Sequence, residues 1–290
     1  MVSKHADLDG PVHYLDFGGG GPPLVCIHGL SGSALNWMAV GPALAERHRV
    51  LALDLRGFGR TPLGSGTRLR DNRRLLERFL HDVVGGPAVV VGNSMGGLVA
   101  VLQAAARPEA VSSLVLVDPA LPWRGHRPFD LSLWSFFGSL LPPILGEATL
   151  AWSGRRLGAE RVVHGVLEAC SADASRIPPD LVRALVEQEA ERFASPRSFR
   201  ALAQASRSLL WALGRRGLMR TYARVSAPAL VLHGEKDRLV PAGYSVAIGR
   251  RFGWRVEVLP GVGHVPMMEV PADFTRVTLG WLESHEPAAA

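Results

Sequence analysis

The sequence predicts an α/β protein: a mostly parallel, twisted sheet with helices on both faces and a helical segment inserted before the last strands. Three observations carry this expectation. Short apolar runs alternate with longer stretches of helical periodicity through the first 120 residues. Those runs are apolar at every position, the pattern of strands covered on both faces. The alternation stops near residue 121 and resumes near residue 223, so the residues between interrupt the sheet without extending it.

Taken in order, Val2 to Leu8 and Val12 to Phe17 flank Asp9-Gly10, a dipeptide suited to a tight hairpin. The turn Gly18-Gly-Gly-Gly-Pro-Pro23 leads into a covered strand, Leu24-Val-Cys-Ile27. Further strands of this kind are Val50-Leu-Ala-Leu53, Ala88-Val-Val-Val91 and Leu114-Val-Leu-Val117. Helices are expected over Ala34 to Glu46, Leu69 to Val84 and Met95 to Arg107, the last closed by Pro108. After the insertion come strands Ala229-Leu-Val-Leu232 and Val256-Glu-Val-Leu259, a helix from Ala242 to Arg251 and a closing helix from Ala272 to Ser284. The expected division is a core of residues 1–120 and 223–290, with residues 121–222 as a helical cap over the strand ends.

Composition narrows the function. With 290 residues, 47% hydrophobic and 20% charged, the chain can bury one large core and is not disordered. The most apolar stretch, Leu131 to Leu145, is broken by Gly138, Pro142 and Pro143. It lacks the roughly 20 uninterrupted apolar residues of a spanning helix, so no stable membrane insertion is expected. Cys26 and Cys170 lie far apart and no apolar leader follows Met1, which points to a cytoplasmic protein with free thiols. The net charge of +6 is almost all arginine, since lysine occurs only at Lys4 and Lys236. Doublets at Arg73-Arg74, Arg155-Arg156, Arg215-Arg216 and Arg250-Arg251 are dispersed among acids and read as solvated helix faces. Without a concentrated stripe or a recognisable module, nucleic-acid binding is not expected. Nothing in the sequence fixes the oligomeric state.

The chemistry centres on Val90-Val-Gly92-Asn93-Ser94-Met95-Gly96-Gly97, a strand running into a helix with serine at the apex of G-x-S-x-G. Such a turn strains the serine backbone, needs small neighbours and exposes the hydroxyl at a helix N-terminus. Neither a Walker spacing nor G-x-G-x-x-G is present, which weakens a phosphate-loop reading. An alcohol needs a base to become a nucleophile, and the base needs an orienting carboxylate. Asp237 follows one strand and His264 follows the last, so Ser94, Asp237 and His264 all fall at carboxyl ends of parallel strands, where ligands bind in open α/β sheets. Asp118, also just past a strand, is the competing acid. An attacked carbonyl requires two N–H donors for its oxygen, and the Met95 amide is placed to be one. His233, on a strand end, reads as structural or as pocket wall, and Asp54 and Arg56 as stabilising their loop. None of the histidines has metal-ligand spacing, so no metal is expected.

These motifs resemble those of cap-bearing α/β-hydrolases, a family that includes esterases and meta-cleavage-product hydrolases. The resemblance covers nearly the whole chain outside the cap. It rests further on His28-Gly29, Asp54-Leu-Arg-Gly-Phe-Gly-Arg-Thr61 and Gly263-His-Val-Pro-Met-Met-Glu-Val-Pro271. It implies the α/β-hydrolase fold, with Ser94 as nucleophile, His264 as base, Asp237 as acid and the Leu30 amide as the second oxyanion donor. His28 would hold that loop by hydrogen bonds, and no cofactor is required.

Relatives with an aspartate nucleophile open epoxides or remove halides, so serine at position 94 leaves acyl chemistry. Relatives that cleave carbon–carbon bonds often carry G-N-S-M-G-G, present here, and a tryptophan straight after the catalytic histidine, where this chain has Val265. The expected reaction is therefore hydrolysis of apolar small-molecule carboxylic esters. The alternatives are carbon–carbon bond hydrolysis, acyl transfer or perhydrolysis, and a non-catalytic ligand receptor. Trp123, Trp134 and Phe137 in the cap, with Val265 and Met267 beside the base, are the expected substrate-pocket walls, although most cap aromatics should pack the cap's own core.

Overall fold

Strands β1 (Val2–Asp7) and β2 (Pro11–Gly18) form the expected hairpin, with Asp9 and Gly10 both at positive φ in the turn. The computed structural model describes residues 1–122 and 145–285. Six more strands follow: β3 (Pro23–Ile27), β4 (Arg49–Leu53), β5 (Ala88–Asn93), β6 (Val111–Val117), β7 (Ala229–Gly234) and β8 (Arg255–Leu259). They build one eight-stranded sheet in the order β1-β2-β4-β3-β5-β6-β7-β8. β2 runs antiparallel to β1 and β4, and every pairing from β4 to β8 is parallel. The order reverses between β3, flanked by β4, and β5, which opens a crevice beyond the carboxyl ends of β3 and β5.

The apolar runs are continuous because each strand feeds two cores. On β5, Val90 packs into one cluster while Val89 and Val91 pack into the other; on β6, Leu114 and Leu116 alternate with Val115 and Val117 in the same way. Among the described helices, α1 (Gly41–Leu44), α2 (Leu69–Phe79) and α3 (Met95–Ala106) precede the insertion. The first cluster takes Leu75, Leu76 and Phe79 from α2 and most of α3. After β7 come α8 (Ala242–Phe252), α9 (Pro266–Glu269) and α10 (Pro271–Glu283), the last supplying Phe274, Trp281 and Leu282 to the second cluster.

Two expected helices differ in detail. The stretch from Ala34 to Glu46 is a 3-10 turn at Ala34–Trp37 followed by the single turn α1, because Pro42 has no N–H to continue a helical ladder. The expected Leu69 to Val84 helix is α2 plus a π-helical turn at Leu80–Val84, ended by Gly85 at φ 78°.

Between β6 and β7 the described residues are helical: α4 (Leu145–Cys170), redirected at Gly158, then α5 (Pro179–Phe193), α6 (Pro196–Gly214) and α7 (Leu218–Tyr222). Ala205, Leu209 and Leu213 of α6 and all three buried residues of α7 join the first core cluster. Tyr222, fully buried, donates its hydroxyl to the carbonyl of Ala120 at 3.2 Å, pinning the return of the insertion to the end of β6. No helix among the described residues is long and apolar enough to cross a membrane. Tyr222→Phe should leave that carbonyl unpaired and lower stability by about 1–2 kcal/mol, read from a reduced urea midpoint at unchanged slope.

Candidate active site

β5 ends at Asn93 and α3 begins at Met95, so Ser94 alone makes the turn. Its φ of 51° and ψ of −115° are unfavourable for a residue with a side chain. Hydrogen bonds hold it there: its N–H donates to Val117 O at 2.9 Å, and its carbonyl accepts from Ala120 N at 3.0 Å and Leu98 N at 3.2 Å. The helix start presses against the end of β3, where a Cβ on Gly96 would lie 2.4 Å from Ile27 O and 2.5 Å from His28 O. Only a hydrogen fits at that position. Ser94 itself is half-buried between fully buried neighbours.

The loop after β7 carries Asp237 and the loop after β8 carries His264, both buried. His264 Nδ1 lies 2.7 Å from Asp237 Oδ2, while Asp237 Oδ1 accepts from the N–H groups of Leu239 (2.7 Å) and Val240 (3.0 Å). With Nδ1 donating to Asp237, Nε2 is the nitrogen left to accept a proton. Asn93 Nδ2 ties the serine turn to this loop, donating to Val117 O (3.2 Å) and His264 O (3.1 Å).

Two more ionisable groups stand behind this pair. Asp118, fully buried, accepts from Gly234 N at 2.8 Å, and His233 lies 3.4 Å from Asp118 Oδ1 and 3.3 Å from Asp237 Oδ2. Burial and the adjacent Asp237 charge raise Asp118 well above the usual carboxylate range, against the pull of His233. Burial would raise Asp237 as well, but His264 and His233 outweigh it and hold Asp237 far below its ordinary value. Burial alone would lower His233; Asp118, Asp237 and the Val240 carbonyl, which its Nε2 meets at 2.8 Å, raise it instead. The surroundings thus drive the two acids in opposite directions, Asp237 toward the carboxylate and Asp118 toward the protonated form. A possible ligand atom of each of Asp118, Asp237 and His264 lies within 4.8 Å of the other two, and within this group His264 and Asp237 are hydrogen-bonded to each other.

The loop after β3 lies against the serine: a Cβ on Gly29 would fall 3.1 Å from Ser94 Cβ. His28 Nε2 accepts from Leu55 N at 3.0 Å, so its Nδ1 carries the proton donated to Gly29 O at 2.7 Å. Burial lowers the His28 pKa, and the ring is a neutral strut between the loops after β3 and β4. Asp54 accepts from Ala34 N and Arg60 N and meets His13 Nδ1 at 2.6 Å, and Arg56 donates to Leu8 O. Both brace their loop.

Sequence reasoning gave no role to Glu269. Its buried carboxylate accepts from Gly263 N (2.9 Å), Ala172 N (3.2 Å) and Asp173 N (3.1 Å), with Arg176 at 3.4 Å. His264 N also donates to Cys170 O at 2.6 Å, and Arg238 donates to Ser171 O at 3.0 Å and to Glu168 O. The C-terminus of α4 is therefore clasped by the loops of both candidate acid and base. The available signal was a lone charge in the apolar run Val265-Pro-Met-Met-Glu269-Val-Pro271, which must find partners when buried.

Ser94, Leu30 and His264 line one cavity of about 530 Å³, walled by residues of α4, α5 and α6 such as Leu157, Leu167, Phe193, Phe199 and Leu202. Val265 also lines it. Met267 does not: both methionines of α9 are buried in the second core cluster, but the turn of about 100° per residue gives the wall position to Met268, whose sulfur lies 3.5 Å from Asn36 Nδ2. Trp123, Trp134 and Phe137 lie outside the described residues. The wall also contains an ion pair that the sequence did not single out, Arg192 with Glu189 at 2.7 Å; Arg192 is buried, and its Nε has no partner among the described residues.

Residues 24–277 match the alpha/beta hydrolase family, and the chain belongs to that family. Among its relatives is the dihydrolipoyllysine-residue acetyltransferase component of the acetoin cleaving system of Cupriavidus necator, 30% identical over 278 residues, which are 94% of this chain and 67% of that protein. Another is the 2-hydroxy-6-oxo-6-(2'-aminophenyl)hexa-2,4-dienoic acid hydrolase of Metapseudomonas resinovorans, 29% identical over 280 residues, covering 91% and 85% of the two chains. A solved structure of a membrane phospholipase A, a bacterial virulence factor, superposes with a TM-score of 0.78 at 27% identity over 99% of this chain and 87% of that one.

The two acids have opposite stability signatures. Asp118, raised in the fold by burial, costs stability as pH rises above the unfolded carboxyl's value of about 3.9, so Asp118→Asn should gain on the native chain as pH rises above about 4. Asp237, depressed in the fold, contributes stability present above about pH 4 and lost as pH falls further, so the deficit of Asp237→Asn should close in acid. Urea midpoints of the three proteins from about pH 2 to about pH 7 would show it, and parallel curves would contradict both assignments.

Proposed function

We propose that the protein is a serine hydrolase that cleaves carboxylic esters of apolar small molecules through an acyl-enzyme on Ser94. The observation that carries this reading is the 2.7 Å His264–Asp237 hydrogen bond in the wall of the cavity that Ser94 also lines. His264 takes the Ser94 proton as Oγ attacks the ester carbonyl, and the oxyanion rests on the Leu30 and Met95 N–H groups. The imidazolium, stabilised by ionised Asp237, returns the proton to the leaving alcohol. Water then enters, gives its proton to His264 and releases the acid. Asp118, pushed toward its protonated form by burial, is the weaker candidate for this role.

The apolar lining of the cavity supports an apolar acyl group. Residues 121–222 serve as its cap on a core of residues 1–120 and 223–290, a division supported by the α4, α5 and α6 side chains in its wall. The chemistry needs no cofactor. We assign the protein to the cytoplasm, consistent with two free cysteines.

A second reading, hydrolysis of a carbon–carbon bond in a carboxylate-bearing substrate, draws support from buried Arg192 in the cavity wall and from the dienoic acid hydrolase relative. Ester hydrolysis leads because Glu189 already neutralises Arg192 and because Val265 follows the base.

Ser94→Ala should abolish labelling by a fluorophosphonate probe and lower kcat on p-nitrophenyl butyrate by about 10⁴ or more; undiminished labelling would remove Ser94 from the mechanism. Asp237→Asn should cost about 10⁴, whereas Asp118→Asn should cost less than about tenfold. Along p-nitrophenyl esters from acetate to hexanoate, KM should fall; a flat series would count against the apolar pocket. Faster turnover of a 2-hydroxy-6-oxo-dienoate than of any ester, lost in Arg192→Leu, would favour the second reading.

A further inference from the structure

α6 has two working faces. Leu202, Leu209 and Leu213 face the cavity of Ser94, whereas Gln204, Ser208 and Trp211 border a separate groove of about 860 Å³ between α2, α6 and α7. The groove follows the seam where the inserted helices meet a helix packed on the sheet. Gln204 Oε1 accepts from Thr67 N at 2.8 Å and Ser208 Oγ from Leu69 N at 3.1 Å, so α6 is seated on the N-terminal, positive end of α2.

Seven arginines line this groove and, among the described residues, no acid does. Three of them reach carboxylates at its margin: Arg70 with Asp71 (3.4 Å), Arg73 with Glu77 (3.0 Å) and Arg207 with Glu147 (3.3 Å). The remaining four, Arg68, Arg215, Arg220 and Arg224, have no carboxylate partner among the described residues. Arg215 lies 4.3 Å from the ring centroid of Trp211, and that indole is 64% exposed. In the sequence these arginines belong to two separated sets, residues 68–73 and 207–224, which read as dispersed; folding concentrates them in one concavity. Like charges gathered in a concave surface focus a positive potential that an anion relieves. Guanidinium groups, unlike ammonium, also match phosphate oxygens two at a time.

We propose that this groove binds a small organic polyphosphate of the nucleotide class, its phosphates held by Arg68, Arg220 and Arg224 and its aromatic base against Trp211 and Arg215. The volume suits such a ligand. Because the occupant bridges α2 to α6 and α7, it fastens the insertion to the sheet-packed helices and stabilises the fold by mass action. The site is separate from the cavity of Ser94 and does not rest on the reading of that cavity.

The full chain is titrated with ATP, inorganic tripolyphosphate and adenosine, following heat by calorimetry and tryptophan fluorescence, at two salt concentrations. ATP should bind saturably, quench fluorescence and raise Tm, with affinity falling as salt rises. Tripolyphosphate should bind without the quench and adenosine should not bind. In Arg220→Gln/Arg224→Gln, with an unchanged circular dichroism spectrum, the ATP Kd should rise about tenfold or more. Trp211→Phe should lose the quench and keep tripolyphosphate binding. Absence of saturable ATP and tripolyphosphate binding, or a Kd unmoved in the double variant, would overturn the proposal. So would association with phosphatidylglycerol vesicles without any binding of ATP, which would make the groove a lipid-facing surface.

Discussion

The left-handed backbone at Ser94 is the constraint on which the rest of the site depends. A residue with a side chain stays at φ 51° only when its surroundings over-determine it, and here Val117 O, Ala120 N and Leu98 N hold both ends of the serine peptide. Those partners exist because β6 runs parallel to β5 in the register that sets Asn93 beside Val117. The next turn of α3 can reach the end of β3 only because Gly96 has no side chain. Sheet order then does the remainder: with β3 next to β5, the His28–Gly29–Leu30 loop abuts the serine, so closely that a Cβ on Gly29 would lie 3.1 Å from Ser94 Cβ.

Opposite that turn, electrostatics is organised by burial. Two buried carboxyl groups as close as Asp118 and Asp237 oppose each other's ionisation, and the neighbouring histidines favour the charge on Asp237. Asp237 has His264, His233 and two backbone N–H groups to stabilise its charge; Asp118 has one backbone N–H, a more distant His233 and complete burial. The same loops are gripped from above by the end of α4, through His264 N to Cys170 O and through the three amides on Glu269. Placement of the insertion and placement of the imidazole are therefore one structural problem, and a shift of α4 would be felt directly at His264.

Much of this was legible in the sequence because its signals are local. Continuous apolar runs marked the covered strands, and glycines around a serine marked the turn. An acid and a histidine past later strands marked the loops that converge on it. What failed to show was non-local or rotational. Pro42 broke a helix that periodicity alone suggested, and one helical turn at α9 exchanged Met267 for Met268 in the cavity wall. Glu269 and the Arg192–Glu189 pair acquire meaning only from partners distant in sequence or from a cavity that several helices enclose. The arginine groove is the extreme case, since each segment reads as an ordinary solvated helix face until α2 and α6 are brought together.

The central claim, that Ser94 carries the acyl group, is tested most directly by rapid quenching in acid during turnover of p-nitrophenyl butyrate, followed by intact-mass and peptide mass spectrometry. The account predicts a pre-steady-state release of p-nitrophenol approaching one equivalent per chain and a butyryl adduct on the peptide that contains Ser94. Turnover with no acylated protein at any quench time, or an adduct confined to another residue, would contradict it.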